Sequence, residues 1–499
     1  MHIKLKYLIF LVVIVCAVVM APLINGYFFK NSYLSLMTAL NDDNPIKITV
    51  TDYQRGWFSS EVKLELIIQS AETMKLNADQ VNKVTEAFKK VIITQHIAHG
   101  PCVNDSVDNA WKFTRALIDT TVHVPRLVED VLLGDSAPKG VMQVHTSVSY
   151  DNLYRSHIRV PTMAVDKTEK GKGSWAGING ILDIKIVNNY ITLLKSDFTL
   201  GAVNFQVGTE SFLLQPIALQ SEIHCDSPAT LCSSNGKMAM PGLVSNMRDS
   251  HFQLSDLTFI SISGMNSKNA FNSAFTIGLT KFEMPNFTMG PVNINISVRD
   301  LSVESLAKLK ERANEARQDI RQGGDATAEG LLFLAQANLE LPHLITPDTV
   351  FSQDVSIKTS YGDFKLQGQF SWPTNMPLPR KATDFQKANM HVNLRASTSL
   401  VDMWLKMLDA KAADKKIVSE PITPALTQFP NMLDAAKAKQ IAHSIAPNPA
   451  INNENRMKFD ETIKNGFVIQ DKDDYVTSIT YENNVLKVNG IVVPLPPTH

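Results

Sequence analysis

Three groups of residues in this chain have types and spacings that could do chemistry. Residues 171–177 read GKGSWAG and suggest a phosphate-binding loop. His96 and His99 lie three positions apart, as two ligands of one metal ion can. Two pairs of adjacent carboxylates, Asp42–Asp43 and Asp473–Asp474, are of the residue type that glycosidases and two-metal enzymes use. The chemistry suggested is phosphate binding, metal binding or acid–base hydrolysis.

Each group fails a requirement of the chemistry that it suggests. A phosphate loop needs a lysine directly before Ser or Thr at a strand-to-helix junction, but Lys172 precedes a glycine. The histidine pair has no third ligand nearby, and neighbouring carboxylates on a polar turn need not converge in space. No G-x-S-x-G elbow is present either. We therefore interpret residues 171–177 as a surface loop, and the sequence predicts no catalytic, cofactor or metal site.

The charge balance argues against one class of partner. The 499 residues include 48 Lys and Arg and 49 Asp and Glu, which gives a formal net charge of -1. Because nucleic-acid binders carry a basic field, we expect no nucleic-acid partner. Hydrophobic residues make up 44% of the chain and charged residues 19%, so most of it should fold.

The first 30 residues predict a membrane anchor. Lys4 and Lys6 precede an uninterrupted apolar run over residues 7–24, and a bilayer core about 30 Å thick needs about 20 such residues in a helix. A cleaved signal peptide is the alternative, but Ala21 is followed by Pro22, which disfavours cleavage there. Since positive charge stays in the cytoplasm, the chain from about residue 30 onward should be exported.

Export changes how the cysteines are interpreted, because disulfides persist in oxidising compartments. Cys225 and Cys232 lie seven positions apart around a Pro-containing turn and could close a small loop. The alternative is a pair of free thiols. Cys102 would be left over, and the absence of two CxxC pairs argues against a Cys-based zinc site.

Alternation of apolar and polar residues predicts that strands dominate the chain. In EVKLELIIQ, from Glu61 onward, every second side chain is apolar, which is the pattern of a half-buried strand. The alternation recurs in segments 257–263, 292–299, 364–370 and 390–395, and in two predicted hairpins, 181–194 and 477–493. Because no long helical crossovers separate these segments, we expect the strands to pair antiparallel.

Apolar residues at spacings of three and four predict helices over residues 76–92, 303–321, 331–341, 399–416 and 424–445. Their apolar stripes should cover a sheet or pair with each other, and a partner-binding coiled coil is the alternative. The predicted fold class is therefore α+β. It consists of a predominantly antiparallel β sheet with amphipathic helices packed on it and one N-terminal transmembrane helix.

The predicted domain order follows from these elements. It comprises a cytoplasmic N-terminus (1–6), a transmembrane anchor (7–27), a β-rich region (28–300), a helical hairpin (301–345) and a mixed β/helical C-terminal region that ends in a β-hairpin (346–499).

A short turn motif stands between the first two predicted strands. It consists of Tyr53, Arg55, Gly56, Trp57 and Phe58. Glycine permits a backbone bend that other residues resist, so we expect a turn or bulge at this point. The two large aromatic residues should then plug the end of the adjacent core.

The order of three segments resembles the YdgA family of Gram-negative bacteria. These segments are TDYQRGWFSSEVKLEL at 51–66, HGPC at 99–102 and YENNVLKVNGIVVPL at 481–495. The resemblance spans nearly the whole chain, and its most specific parts are RGWFSS and the terminal VNG. Besides the turn motif, it marks as structural residues His99, Gly100, Pro101, Asn489 and Gly490.

This resemblance implies an inner-membrane, single-span protein with a periplasmic β-rich ectodomain. The domain of that family is classed as of unknown function, so the resemblance implies no enzymatic activity, cofactor or catalytic residue.

Three hypotheses about function remain open. The first is an envelope scaffold or interaction protein, which would pair with itself or with another envelope protein. The second is a carrier of lipid or another apolar ligand, similar in logic to AsmA-like envelope proteins, because an apolar sheet face must be covered by something. The third is a hydrolase, which needs a Ser, a His and an acid that converge in space. A continuous apolar groove would favour the carrier, whereas a closed core with a flat patch would favour the scaffold.

Overall fold

The computed structural model describes residues 2–41, 46–68, 91–105, 110–123, 142–167, 171–187, 190–227, 230–247, 250–321, 326–373, 376–380, 384, 387–415, 454–482 and 484–494. The chain folds as two compact units, which we call unit 1 (Met1–Pro241) and unit 2 (Gly242–His499).

The described helices begin with one long N-terminal helix. They are α1 (His2–Asn41), α2 (Val303–Arg321), α3 (Ala326–Glu340), α4 (Thr398–Lys415) and α5 (Glu454–Lys464), with a 3-10 turn at Leu341–Leu344 after α3. The helices predicted over 303–321 and 399–416 correspond to α2 and α4. Residues 76–90 and 424–445, for which helices are also predicted, lie outside the described residues.

Unit 1 contains sixteen of the described strands, the last of which continues past its boundary. They are β1 (Ile46–Arg55), β2 (Ser59–Ile68), β3 (Ile92–His99), β4 (Cys102–Asp105), β5 (Ala110–Phe113), β6 (Ala116–His123), β7 (Met142–Val148), β8 (Leu153–Val160), β9 (Met163–Lys167), β10 (Gly171–Trp175), β11 (Ile178–Val187), β12 (Tyr190–Leu200), β13 (Val203–Val207), β14 (Glu210–Leu214), β15 (Ile217–His224) and β16 (Ser233–Met247).

The strands of unit 2 follow the same meandering course. They are β17 (Ser250–Met265), β18 (Phe271–Leu279), β19 (Lys281–Met284), β20 (Phe287–Leu301), β21 (Val350–Thr359), β22 (Gly362–Ser371), β23 (Asn389–Ser397), β24 (Ile469–Asp471), β25 (Asp474–Glu482), β26 (Val485–Val488) and β27 (Ile491–Val493).

Pairing between neighbouring strands is antiparallel in both units. In unit 1 the order β1-β2-β3-β6-β7-β8-β11-β12-β15-β16 forms the main sheet, and β4 pairs with β5 as a separate hairpin. In unit 2 the order is β17-β18-β20-β21-β22-β23-β25-β26-β27. The predicted β-rich, antiparallel character of the chain agrees with this arrangement.

The transmembrane helix predicted over residues 7–27 is wrong. Within the described part of the chain, no helix is both long and apolar enough to cross a membrane. Helix α1 continues to Asn41, well beyond the predicted end, and Phe29 and Tyr33 in its C-terminal half are buried against strands of unit 1. This half of helix α1 is therefore part of a protein core. Because the predicted anchor is wrong, the single-pass inner-membrane localisation inferred from it is also wrong.

The core of unit 1 lies between α1 and the sheet. Phe29 and Tyr33 pack in one cluster with Val62, Ile97 and Val148, all of which are buried. The alternation that predicts the half-buried strand at 59–68 places Val62 on this inner face and Lys63 on the outer one, as period two requires. Apolar strand residues and the helix thus bury each other, which is the main source of stability for such a layer.

Two further predictions need correction. The GKGSW part of residues 171–177 is strand β10 rather than a surface loop, because β9 and β13 pair with it on either side and their hydrogen-bonding partners override the loop preference of glycine. The hairpin α2–α3 is not packed on the sheet face: its helices pack on each other and on the 3-10 turn, and the apolar side of α3 is exposed at Leu331, Leu332, Leu334 and Leu339.

Candidate functional site

One face of the sheet in unit 2 carries mostly apolar side chains from β17 to β23. Antiparallel register places the inward residues of β18 opposite those of β20, as in Ile277 opposite Ile294. The same face continues through Val355 on β21 and Leu366 on β22. We call this surface the apolar face. It is built by period-two alternation in each strand and by a register that keeps every apolar set on the same side.

Cross-strand neighbours on the apolar face form rows that run perpendicular to the strands. The row that is apolar from β17 to β23, which we call the second row, consists of Phe259, Ile277, Ile294, Val355, Leu366 and Leu394. With strands about 4.8 Å apart, it extends over about 24 Å. No charged side chain interrupts the apolar face on any described strand from β17 to β23.

The exposure of the apolar face changes along the strands. The row on one side of the second row, which we call the first row, contains Leu279 and Val292, and these are 9% and 6% exposed. The row on the other side, the third row, contains Phe275 and Ile296, which are each 37% exposed although both are large apolar side chains. The face is therefore closed at one end of its strands and open to solvent towards the other.

Helices α4 and α5 help to close the first row over β22, β23 and β25. Leu405 of α4 is buried next to Ala396, which starts the first row on β23. Phe459 of α5 packs edge-on against Tyr475, with ring centroids 5.0 Å apart. These helices supply an apolar wall at the closed end, while the described residues place no helix over the second and third rows of β18 and β20.

An uncharged surface of this kind binds mainly by burying apolar area. The strands pair with each other, so the face offers no free backbone hydrogen-bonding groups, and its polar side chains include Ser261, Ser273 and Gln353.

The turn motif lies at the end of the first hairpin in unit 1. Arg55 ends β1, its guanidinium lies 5.8 Å from the ring centre of Tyr27 on α1, and the backbone N–H of Gly56 donates to Ser59 O at 2.8 Å. A Cβ atom at Gly56 would lie 2.9 Å from Ser59 O, which explains the glycine. Trp57 and Phe58, however, are 45% and 60% exposed, so the expectation that they plug the core is wrong.

A comparison with models of protein families identifies the family of this chain. Residues 4–496 match the family described as bacterial protein of unknown function (DUF945). The chain belongs to the DUF945 family. No curated protein and no solved structure matches this DUF945 chain.

A buried Ser–His pair is the nearest approach to hydrolase geometry in the described DUF945 structure. Ser60 Oγ lies 2.8 Å from His99 Nε2, and both residues are buried, at 1% and 3% exposure. His99 packs against the ring of Phe29, and its Nδ1 is buried without a hydrogen-bond partner. Burial, followed by the charge of Arg55, lowers the pKa of His99 to about 4. A Ser–His nucleophile needs solvent access and an orienting carboxylate on Nδ1, and the described residues give this pair neither.

Gly100 and Pro101 continue from this pair into the next turn. The Gly100 N–H donates to Arg115 O at 2.9 Å, and Pro101 O accepts from Thr114 N at 3.1 Å. A Cβ atom at Gly100 would lie 1.8 Å from Thr114 O, so no other residue fits there. These contacts fix the start of β4, whose Asp105 forms an ion pair with His145 Nε2 at 3.2 Å.

The C-terminal motif residues anchor a turn in unit 2. Asn489 Oδ1 accepts from Ser478 N at 2.7 Å, and its Nδ2 donates to Gly466 O and Phe467 O, both at 3.0 Å. Asn489 and Gly490 have φ values of 50° and 82°, a region that Asn and Gly tolerate. The motif therefore ties the last hairpin to the loop after α5.

The remaining sequence-derived sites of the DUF945 chain lie apart from the apolar face. Cys225 and Cys232 form a disulfide at the β15–β16 connection in unit 1, and Cys102 is an exposed thiol. His96 lies opposite Asp119 on the outer side of the unit 1 sheet, whereas His99 is buried, so the two histidines do not converge. Within the described residues, no group of three or more His, Cys, Asp or Glu side chains could hold a metal ion.

The apolar face itself could be found only in part from the sequence. Alternation marks β17, β20, β22 and β23 as one-sided strands. The signal that joins them into one surface is the register, which depends on pairing between segments such as 292–298 and 351–357.

Proposed function

We propose that this chain binds an apolar ligand, of which the acyl chain of a lipid is the best fit, along the apolar face of unit 2. The observation that carries the proposal is the second row, which is apolar over about 24 Å with large side chains half-exposed beside it. Isolated exposed apolar residues are normal in proteins, but a continuous patch of this extent is typical of a binding surface.

The shape of the face favours a long, thin ligand. A row six strands long and one side chain wide matches an extended hydrocarbon chain better than a compact molecule. Each methylene group transferred from water onto such a surface contributes about 0.8 kcal/mol, so a long chain gains enough to offset the cost of ordering it. The absence of charges on the face favours a hydrocarbon segment, with any polar headgroup lying beyond the open end of the rows.

The scaffold hypothesis has its own support in a different part of the molecule. Exposed aromatic side chains gather where α1, the turn motif and the β4–β5 hairpin meet, including Trp57, Trp111 and Phe113. Phe113 stacks on Tyr150 with ring centroids 5.2 Å apart, and the Tyr150 hydroxyl accepts from Asn25 on α1. Aromatic residues of this kind are enriched at protein interfaces, which supports an interaction role for unit 1 as the second candidate.

Within the DUF945 family, we also propose that the chain is a YdgA-like member. The segments at 51–66, 99–102 and 481–495 support this finer assignment. It adds no catalytic residue and therefore leaves the ligand-binding proposal unchanged.

Native mass spectrometry of the full-length chain, purified without detergent, tests the proposed function. We expect a co-purifying acyl lipid at close to one or a few molecules per chain, identified by solvent extraction. A chain that carries no lipid, and that takes up none when incubated with a fluorescent fatty acid, would overturn the proposal.

A pair of matched variants shows where the ligand binds. Ile296→Glu with Phe275→Glu adds charge to two half-exposed positions of the apolar face, and we expect bound fatty acid to fall at least tenfold. Asn295→Glu adds charge one residue away on the opposite face and should leave binding unchanged. Equal losses in both variants, with folding intact by circular dichroism, would place the ligand elsewhere.

A further inference from the structure

The opposite face of the same sheet carries a shallow groove of a different character. Two adjacent rows of polar side chains cross β20, β21, β22, β23 and β25. We call them the polar rows. The first contains Asn295, Asp354, Gln367, Asn393 and Ser478, and the second contains Ser297, Ser352, Gln369, His391 and Thr480. They line a cavity of about 440 Å³ and extend over about 19 Å.

The composition of the polar rows is not explained by strand formation. Asn and Asp are depleted in strands because they do not suit the pleated backbone, yet Asn295, Asp354 and Asn393 lie in the middle of neighbouring strands. Solvent-facing sheet positions are more commonly stabilised by Thr pairs or opposite charges. Residues that break a local preference without a structural gain mark a functional surface.

The protein uses part of the hydrogen-bonding capacity in the groove, since Gln367 Nε2 donates to Asp354 Oδ2 at 3.5 Å. Ser478 Oγ donates to Asn393 Oδ1 at 2.9 Å, and His391 Nε2 lies 2.8 Å from Glu482 Oε1. By contrast, the side chains of Asn295, Ser352 and Gln369 make no hydrogen bond to any other described residue. Amides and hydroxyls both donate and accept, so these groups can serve a ligand that does the same.

The charges narrow the chemical class of that ligand. The polar rows contain one carboxylate, Asp354, and no Lys or Arg, although Lys365 and Arg395 lie in the next row of the same face and Arg395 pairs with Asp474. No group of metal-binding side chains occurs among the described residues, and the rows are too polar for a hydrocarbon. A neutral ligand chain with vicinal hydroxyl groups can pair with both the hydrogen-bond donors and the hydrogen-bond acceptors of the polar rows.

We infer that the polar rows form a binding site for a neutral polyhydroxylated chain, an oligosaccharide, that lies across the strands. The sheet presents a repeating set of amide and hydroxyl groups at about 4.8 Å intervals, and successive sugar units offer hydroxyls along a similar path. This site lies on the other side of the sheet from the apolar face and does not depend on the proposed function.

Titration of the full-length chain with maltohexaose and with chitohexaose, followed by saturation-transfer NMR and calorimetry, tests this inference. We expect saturable binding of at least one of the two, weakened at least tenfold by Gln367→Ala with Asn393→Ala. The control pair Asn179→Ala with Asn204→Ala removes two exposed strand amides of unit 1 and should leave binding unchanged.

Three outcomes would overturn the inference. These are the lack of binding by either oligosaccharide at tens of millimolar, an equal loss in the control pair, and a preference for inorganic phosphate over both sugars. Fatty-acid uptake by the Gln367→Ala, Asn393→Ala variant should match that of the original chain, which separates this site from the one on the apolar face.

Discussion

Units 1 and 2 present the same kind of apolar sheet face, but among the described residues the cover differs: α1 lies along the face of unit 1, whereas α4 and α5 close only one end of the face of unit 2. In unit 1, α1 lies on the first strands, and Phe29 and Tyr33 are 0% and 1% exposed. In unit 2, Phe275 and Ile296 are each 37% exposed on strands with the same alternation. Since the strands are alike, the difference arises from what lies on them. Alternation therefore predicts that a face is apolar without predicting what covers it.

The largest loss of stability is expected in unit 1, where α1 covers the apolar sheet face. Phe29→Ala should lower the free energy of unfolding of unit 1 by about 4 kcal/mol, because it removes a fully buried aromatic side chain and leaves a cavity. Hydrogen exchange of the full-length chain in increasing denaturant gives this value for each unit. Phe28→Ala is the matched control: Phe28 is 58% exposed, and its loss should change stability by less than about 0.5 kcal/mol. Similar effects of the two changes would mean that α1 does not seal this face.

The second prediction concerns a part of unit 1 that lies beyond the core under α1. Cys225 and Cys232, seven residues apart, link β15 to β16. Replacing both by Ser should destabilise these strands by about 2 kcal/mol, because a covalent loop restricts the unfolded chain. Hydrogen exchange at β15 and β16 measures the change. Exchange that is unaltered in these strands would show that packing alone holds them.

The pH dependence of stability also separates the covered face from the open one. The pKa of His99 is about 4 in the folded protein, against about 6.5 unfolded, because burial under α1 disfavours its charged form. As pH falls below 6.5, the unfolded state takes up a proton first, so stability of unit 1 is present above pH 6.5 and declines towards pH 4. Denaturation of the original chain and of His99→Gln between pH 4 and 7 should show this decline only in the original chain. A decline of equal size in both would assign it to other groups.

The smallest loss of stability is expected for a substitution on the open part of the apolar face in unit 2. Phe275→Ala in the lipid-free chain should cost about 1.5 kcal/mol, because more than a third of its side chain is already exposed. The measurement is the same exchange experiment, read for unit 2. A cost as large as that of Phe29→Ala would show that this face is a closed core, and the ligand-binding proposal would fail with it.

The strand content of the fold was accessible from sequence because it depends on local alternation. Segments 257–263, 292–299, 364–370 and 390–395 fall within β17, β20, β22 and β23. The apolar face required more: Ile294 meets Val355 only through a pairing of residues far apart in the chain. No local pattern encodes that register, since a shift by one residue would keep the alternation and reverse the face.

The errors have related physical causes. The apolar N-terminal run predicts a membrane anchor, but no helix in the described part of the chain is long and apolar enough to span a membrane, and Phe29 in the C-terminal half of the same helix packs in a protein core. Trp57 and Phe58 were expected inside because large aromatic residues favour burial, but their turn projects beyond the sheet. The polar rows gave no signal, because isolated Asn and Gln residues become a groove only when four or five strands align them.

Pairing of strands that are close in sequence makes the sheet of unit 2 modular. β21 and β22 form a hairpin, and its two outer partners, β20 and β23, are antiparallel to each other because strand directions alternate in the meander. Removal of one such hairpin preserves the direction of every remaining strand, and insertion of one does the same. Each hairpin gained or lost changes the width of the sheet by about 10 Å. If the binding proposal holds, the number of hairpins would therefore set the length of the ligand that the sheet accommodates.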